Sequence, residues 1–583
     1  MTTITPDTFN QKLLEIILRH NKKLADYLNN HSQSYFDVTS NPERGDLTTN
    51  FAMMHAKALE MTPIKLAEIL AQGFETDKKS LHISHIQIAG PGFINLYLNE
   101  EFWHRSLSYI KSDIMNYGFE DIGKGLKVNV EYVSANPTGP LHIGHCRGAI
   151  IGDVIASLYS KMGFDVTREY YVNDAGGQIE QLIHSVESKY KEKISIDTGD
   201  QDITYNGEYI EDIADELYKN YQSSLLNKTN HDVLIRDQAI NHILNLIKLD
   251  LEKVNIKHDI FFSEGSLLEK NEISQTIEYL KSKNYIYWGK LPLPKNQVEV
   301  NTEEREQNLF ASTRFGDDID RAISKEDGSH TYFASDIAYH RNKLTRGYSK
   351  LINIWGADHA GYVKRLQGAV TALSDGKANV EIILCQLVKL FRDNKPVKMS
   401  KRNNDYVTIG EVVSEVGSDP VRFMMLFRKS DAPLDFDFVK VCDKSKENPV
   451  FYVQYAHARI HSVIRNWNDE QKKDFIREFS SLYTNFDMLI HPHEIGLIKK
   501  MSQFPSLLKN VIETNDVHRI AYYLHELASD FHTLWNIGND NQDMRFITDS
   551  DVKTLQRLSM IFLVSQVIKK GLDLLGVSCP EKM

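Results

Sequence analysis

Two histidines, His142 and His145, stand three positions apart at the start of an apolar helical pattern, with Gly144 between them. Upstream, Val128, Val130 and Tyr132 alternate with polar residues, which predicts a strand with one buried face. The run breaks at Ser134-Ala135-Asn136-Pro137-Thr138-Gly139-Pro140, where every residue suits a turn. Ile151, Val154, Ile155 and Leu158 then recur at the spacing of a helix packed on a sheet. A helix that begins straight after a strand offers unpaired N–H groups and a positive dipole end, which suits phosphate. The two imidazoles share one helix face, and they add donors that can follow charge developing on a transferring phosphoryl group. Gly144 removes a side chain where a flat group could approach the backbone. The plainer alternative is a surface loop with two incidental histidines.

A second cluster, Lys398-Met399-Ser400-Lys401-Arg402, follows the turn Arg392–Pro396. Taken alone it reads as a solvated basic turn. The order His142-Ile143-Gly144-His145 resembles the HIGH signature of class I aminoacyl-tRNA synthetases, and SANPTGPLHIGH is similar to the arginyl-tRNA synthetase version. Lys398 to Lys401 resembles the second signature, KMSK. The resemblance implies activation of L-arginine by ATP, giving arginyl-adenylate and pyrophosphate, then transfer to the 2′-hydroxyl at the tRNA 3′ end. It also implies that bound tRNA is needed for adenylate formation.

By this resemblance His142, Gly144, His145, Lys398, Met399, Ser400 and Lys401 serve ATP, and Ala135, Asn136, Pro137 and Gly139 shape the loop before the helix. Glu131, Ser134, Asn136, Tyr332 and Asp336 match positions of the arginine pocket. Physically, a planar guanidinium with five donors favours facing carboxylates. Adenylate formation needs no nucleophilic side chain, because it is positioning plus charge stabilisation. Mg²⁺ is expected with ATP, and no structural zinc is expected.

The elements that must position these groups fall into a multidomain α/β plan. Residues 1–115 read as an N-terminal α+β domain, with Phe9, Leu13, Ile16 and Ile17 on a first helix and strands at His85–Ile88 and Phe93–Leu98. Its GPGFINLYL resembles the family's tRNA-contacting N-terminal domain, which makes Phe93 and Asn95 tRNA candidates. A strand end is the alternative. Residues 116–400 read as a Rossmann-like parallel-sheet catalytic domain. Strands are expected at Val166–Val172, Asp259–Phe262, Thr331–His340, Leu351–His359 and Glu381–Leu390. Strands alternating with helices imply a parallel sheet. A helical stretch at about 190–255 reads as an insertion between the sheet's two halves. Residues 401–446 connect, with Asp419 capping a helix that starts at Pro420. Residues 447–583 read as an all-α domain resembling the family's anticodon-binding domain, which makes Tyr452, Tyr455 and Met583 tRNA candidates. For the two tyrosines, a helix face packed in the core is the alternative.

At 583 residues the chain is too long for one core. Its composition, 42% hydrophobic and 25% charged, is that of a globular protein. No apolar run reaches the length of a membrane span, and the start lacks a signal-peptide core. Cys146, Cys385, Cys442 and Cys579 form no paired spacing, so a reduced, cytoplasmic monomer with no membrane or DNA partner is expected. A net charge of −11 argues against indiscriminate nucleic-acid binding, but it leaves room for an RNA recognised by shape and unstacked bases. Two rivals remain at this point. One is another class I enzyme, disfavoured by the SANPTGP segment and the lack of Cys/His zinc ligands. The other is a non-catalytic RNA-binding protein, disfavoured by two intact signatures.

Overall fold

The computed structural model describes residues 6–20, 22, 35–39, 42–196, 203–290, 306–325, 327–397, 407–471, 474–482 and 485–583. Four short strands, β1 (Asp37–Val38), β2 (Leu47–Thr49), β3 (Ile83–Ala89) and β4 (Phe93–Leu98), form an antiparallel sheet in the order β1-β2-β4-β3. Helices Pro6–His20, Pro63–Thr76 and Glu100–Ser112 accompany it, and Phe9, Leu13, Phe36, Phe74 and Phe102 fill the core. The Pro63 helix starts as its sequence dictates, with Pro at the first turn and the Thr62 hydroxyl accepting from the Lys65 N–H.

The central sheet is parallel. Its strands are β5 (Lys127–Glu131), β6 (Asp165–Val172), β7 (Ile260–Ser263) and, after an antiparallel trio β8 (Ile286–Lys290), β9 (Glu306–Phe310) and β10 (Arg321–Ala322), β11 (Lys350–Gly356) and β12 (Asn379–Cys385). The order is β12-β11-β5-β6-β7, so the chain leaves β5 on one side and returns to pair with it on the other. The crevice beyond the carboxyl ends of β5 and β11 is therefore the topological switch point, where open α/β sheets bind ligands. Val128 and Val130 are fully buried, as befits a central parallel strand covered on both faces.

Three expectations about the sheet are corrected. Thr331–His340 is no strand: Tyr332–Thr345 is a helix, capped by the Thr331 hydroxyl, and its buried Phe333, Ala334, Ile337 and Ala338 follow helical spacing. Glu381–Leu390 is two strands, because β12 ends at Cys385 and β13 (Val388–Arg392) turns away to pair with β14 (Lys395–Pro396) and β15 (Leu434–Asp437). At that break the Gln386 N–H bonds to the Ser430 carbonyl, and Arg147 donates to the carbonyls of Gln386, Lys429 and Ala432. The helical stretch within 190–255 (helices Glu208–Tyr221 and His231–Lys253) belongs to the crossover from β6 to β7. The β8–β10 trio is what lies between the two halves of the sheet.

Helices Pro449–Gln471, Pro492–Ser502, Phe504–Thr514, His518–Asp540 and Asp551–Leu575 make up the C-terminal part, and the last stops at Gly576 in the left-handed conformation (φ 67°). Asp419 does not cap its helix. It accepts from the Ser578 N–H and from Gln454, and so holds the chain's end. The N-terminal part rests on these helices: Asp46 pairs with Lys499, His104 Nε2 bonds to the Leu489 carbonyl, and Tyr117 bonds to the Met501 carbonyl. Among the described residues no helix is long and apolar enough to cross a membrane.

Candidate active site

The β5 loop is fixed by an unusual backbone. Val133 and Ser134 both adopt positive φ, 70° and 39°. For a β-branched residue this is strained, and it persists only where the surroundings over-determine it. They do so here. The Ser134 hydroxyl donates to Glu131 and accepts from the Tyr171 N–H, Tyr170 Oη donates to the Ala135 carbonyl, and Tyr132 N–H bonds to the Glu169 carbonyl. Asn136 donates to Gln178, in the first turn of the helix Gly177–Lys193 that follows β6, at 2.7 Å. Pro137 is buried. Beside Gly139, Tyr209 from the β6–β7 crossover donates to the Thr138 carbonyl at 2.8 Å. The crossover helices thus buttress the loop, a role with no visible signal in their polar sequence.

The helix Ile143–Lys161 begins with a reciprocal cap made of the two histidines. His142 Nδ1 accepts from the Gly144 N–H at 3.1 Å, and His145 Nδ1 accepts from the His142 N–H at 3.3 Å. The ring centroids lie 3.9 Å apart, with the ring planes tilted by 32°. With each Nδ1 engaged as an acceptor, a neutral ring carries its proton on Nε2, so each can present an Nε2–H donor. A Cβ on Gly144 would meet the His142 ring at 2.8 Å, so the glycine is required by the cap as well as by any approaching ligand.

Lys398, Met399, Ser400 and Lys401 lie outside the described residues. Their flanks are anchored: Val397 N–H bonds to the Leu390 carbonyl, and Thr408 forms a bridge with His142, flanked by Ile143 N–H to Val407 and Ile409 N–H to Leu141. The chain therefore emerges from that segment directly beside the first histidine.

At the switch point, acidic side chains converge from several elements. Glu131 closes β5, opposite Asn353 of β11 and Glu169 of β6. Asp336 lies in the first turns of the Tyr332 helix, so it reaches the crevice from a helix rather than from a strand end. It accepts from Tyr362 Oη at 2.6 Å. Burial pushes its pKa up to about 7; the Tyr362 hydrogen bond opposes this, and the charges of Glu131 and Glu264 add to it. Glu264, directly after β7, is also raised, first by burial and then by Asp174, against a hydrogen bond from Ser335. Such groups repel one another until a cation enters. Tyr332 sits one turn before Asp336 on the same helix face and is 65% exposed, at the mouth.

Glu264, Tyr171 and Tyr362 were missed from sequence. The available signal was position: Glu131, Asp174 and Glu264 each stand at or just beyond the carboxyl end of a parallel strand, where such sheets place ligands. Among the described residues no group of three or more His, Cys, Asp or Glu is arranged to hold a metal ion.

The outlying candidates divide. Phe93 opens β4 and is 38% exposed, whereas Asn95 is 3% exposed and accepts from Thr48 across the β2–β4 pair. Asn95 thus sits in the interior of the sheet. Tyr452 and Tyr455 are half-buried in an aromatic group with His525 and His532, and Arg459 covers the Tyr455 ring. Met583 is 55% exposed at the end of a segment held by Asp419, by Gln454 and by the bond between His457 and the Pro580 carbonyl.

Comparison with known proteins finds three family matches along the chain. Residues 11–98 match the arginyl tRNA synthetase N terminal domain, residues 115–365 the catalytic domain of class I (R) tRNA synthetases, and residues 453–583 the DALR anticodon binding domain. The arginine–tRNA ligase of Brucella anthropi is 46% identical over 545 residues, 92% of each chain. That of Parvibaculum lavamentivorans is 48% identical over 546 residues, 93% of each chain. The solved structure of Thermus thermophilus arginyl-tRNA synthetase superposes with a TM-score of 0.71, covering 98% of this chain and all of that one, and at 18% identity the likeness speaks for the fold. With nearly half its residues shared with these ligases along almost its whole length, the chain belongs to the class I arginyl-tRNA synthetase family.

Proposed function

We propose that the protein activates L-arginine with ATP and transfers the arginyl group to the 3′-terminal adenosine of its tRNA. One observation carries the choice of amino acid: Asp336, Glu264 and Glu131 gather at the switch point beside the histidine-capped helix. The carboxylates suit a guanidinium, and the helix start suits phosphate.

In the first step an oxygen of the arginine carboxylate attacks the α-phosphorus of ATP. The bond to the β-phosphate oxygen breaks, and pyrophosphate leaves with that electron pair. The Nε2–H groups of His142 and His145 stabilise charge that grows on the phosphate oxygens, an effect worth about 3 kcal/mol per donor in comparable sites. Lys398 and Lys401 neutralise the leaving pyrophosphate. Asn136 and Ser134 hold the α-amino and carboxylate end, and Tyr332 covers the mouth. In the second step the tRNA 2′-hydroxyl attacks the arginyl carbonyl and AMP leaves. Mg²⁺ bound to the nucleotide's own phosphates would offset their charge. Phe93 contacts the tRNA on one side, and Tyr452, Tyr455 and Met583 contact it on the other. One chain supplies every group named, and we assign a monomer working in the cytoplasm.

ATP–pyrophosphate exchange with each amino acid, with and without tRNA, tests this reading. Of the amino acids only arginine should support exchange, and it should do so when tRNA is present. Exchange with another amino acid, or none in the presence of both arginine and tRNA, overturns it.

A further inference from the structure

Beneath the arginine pocket the Tyr332 helix carries a lysine that no substrate can reach. Lys343 is 0% exposed, lies two turns after Asp336, and its ammonium sits 2.6 Å from Glu131 Oε2. Its other neighbours are Asn353 Oδ1 at 3.5 Å and the Tyr339 ring, 4.4 Å to the centroid. Asn353 in turn bonds to His340, whose other ring nitrogen bonds to the Asp336 carbonyl. Nearby, Glu169 is held by Arg346, Tyr339 and Asn129, so that carboxylate does not compete for the lysine.

Burying an ammonium and a carboxylate costs several kcal/mol per ion before their attraction is counted. An apolar pair of similar size would satisfy the fold at least as well, so a role beyond packing is needed. The geometry supplies one. Oε2 of Glu131 is taken by Lys343, and Oε1 is turned to Ser134 in the strained loop that faces the pocket.

We infer that Lys343 is a positioning residue for arginine, acting through Glu131: by holding Oε2 it fixes that carboxylate at the end of β5 and turns its Oε1 edge, shared with Ser134, toward the substrate. Substrate itself meets Glu131 and Asp336 and never touches the lysine. The inference rests on the reading that arginine occupies this pocket.

The test is a double-mutant cycle read as KM against kcat in arginine-dependent exchange. Lys343→Met should raise the arginine KM about tenfold or more, the scale for stranding one member of a buried charge pair, and should move the ATP KM less than about twofold. Lys343→Arg should restore most of the loss. In a Glu131→Gln background, adding Lys343→Met should raise the arginine KM no further, because the group it acts through is already gone. The double variant also removes both buried charges together, which keeps the comparison usable if Lys343→Met alone fails to fold. An unchanged arginine KM in Lys343→Met, an equal rise for ATP, or an equal rise in the Glu131→Gln background overturns the inference. All exchange assays carry saturating tRNA, and a wild type that shows no arginine-dependent exchange under that condition overturns the proposed function instead, so the two failures are told apart.

Discussion

The proposed function makes Asp336 the residue on which amino-acid choice turns. A guanidinium entering the crevice keeps its charge at any working pH, so it must meet an ionised partner. In the empty protein Asp336 is pushed up to about 7 by burial, facing Glu131 from β5, Glu264 after β7, Tyr362 after β11 and Lys343 on its own helix. A carboxyl raised in the fold contributes stability at low pH that is lost as pH rises through about 7. Arginine reverses that preference and must expel a proton when it binds below pH 7. Its affinity should therefore fall as pH drops from 8 to 6, approaching tenfold per unit at the low end for one linked proton. Calorimetry in two buffers of different ionisation heat should detect proton release at pH 6 and little at pH 8, and an affinity independent of pH would remove Asp336 from the binding step. Asp336→Asn keeps the shape but replaces an acceptor with a donor. It should raise the arginine KM steeply and leave ATP affinity nearly intact. The arginine-to-lysine preference should collapse, since a site built for several N–H donors can discriminate by up to roughly 10⁴-fold. A preserved ratio of kcat/KM for the two amino acids would mean that the guanidinium is read elsewhere.

At the scale of elements, the histidine cap ties catalysis to helix geometry. Gly144→Ala puts a methyl against the His142 ring, 2.8 Å away at its nearest, which forces the ring out of the cap. Loss of a cap costs about 1 kcal/mol of stability, whereas loss of an aimed donor costs about 10²-fold in rate. The variant should therefore melt only slightly lower and yet exchange pyrophosphate far more slowly, and equal ATP turnover would detach the histidines from the chemistry. Lys401→Ala should lower kcat for activation with little change in arginine KM, the pattern of a contact made only in the transition state. An unchanged kcat would remove that role. These elements differed in how readable they were. The strand, loop and helix around His142 were legible because alternation, turn residues and helical spacing follow one another without overlap. Tyr332–Thr345 was not, because Tyr332, Phe333 and Ile337 are strand formers by type, and the deciding features were the Thr331 cap and burial against the sheet. The break after Cys385 was hidden too, since nothing local to Gln386 announces that its backbone will serve Ser430 and Arg147. Glu264 was readable only in retrospect, once its strand had a place in the sheet.

Across the whole molecule, segments distant in sequence are riveted by buried arginines and by docking of the first domain on the last. Arg422 donates at once to Asp153 of the histidine helix and to the carbonyls of Val254 and Leu575. This plan changes what a deletion can report. Removing residues 1–115 would strip Asp46 from Lys499, and would leave the Leu489 carbonyl without His104. Each stranded buried polar group costs about 1–3 kcal/mol, so a truncated chain would lose stability in its helical part and confuse a binding defect with a folding one. A point change on the exposed edge avoids this. Phe93 is 38% exposed at the start of β4 and no partner domain is built around it, whereas its neighbour Asn95 is already bonded to Thr48 inside the sheet. Base stacking on an aromatic ring is worth about 1–3 kcal/mol. Phe93→Ala should therefore raise the tRNA KM by about fivefold to a hundredfold. Arginine and ATP KM values should stay at wild type in exchange assays saturated with tRNA, and the melting temperature should shift little. Asn95→Ala should do the reverse, lowering stability by breaking the strand-to-strand bond while its tRNA KM follows the fraction folded. If Phe93→Ala charges tRNA with an unaltered KM, the N-terminal sheet does not reach the nucleic acid through this edge.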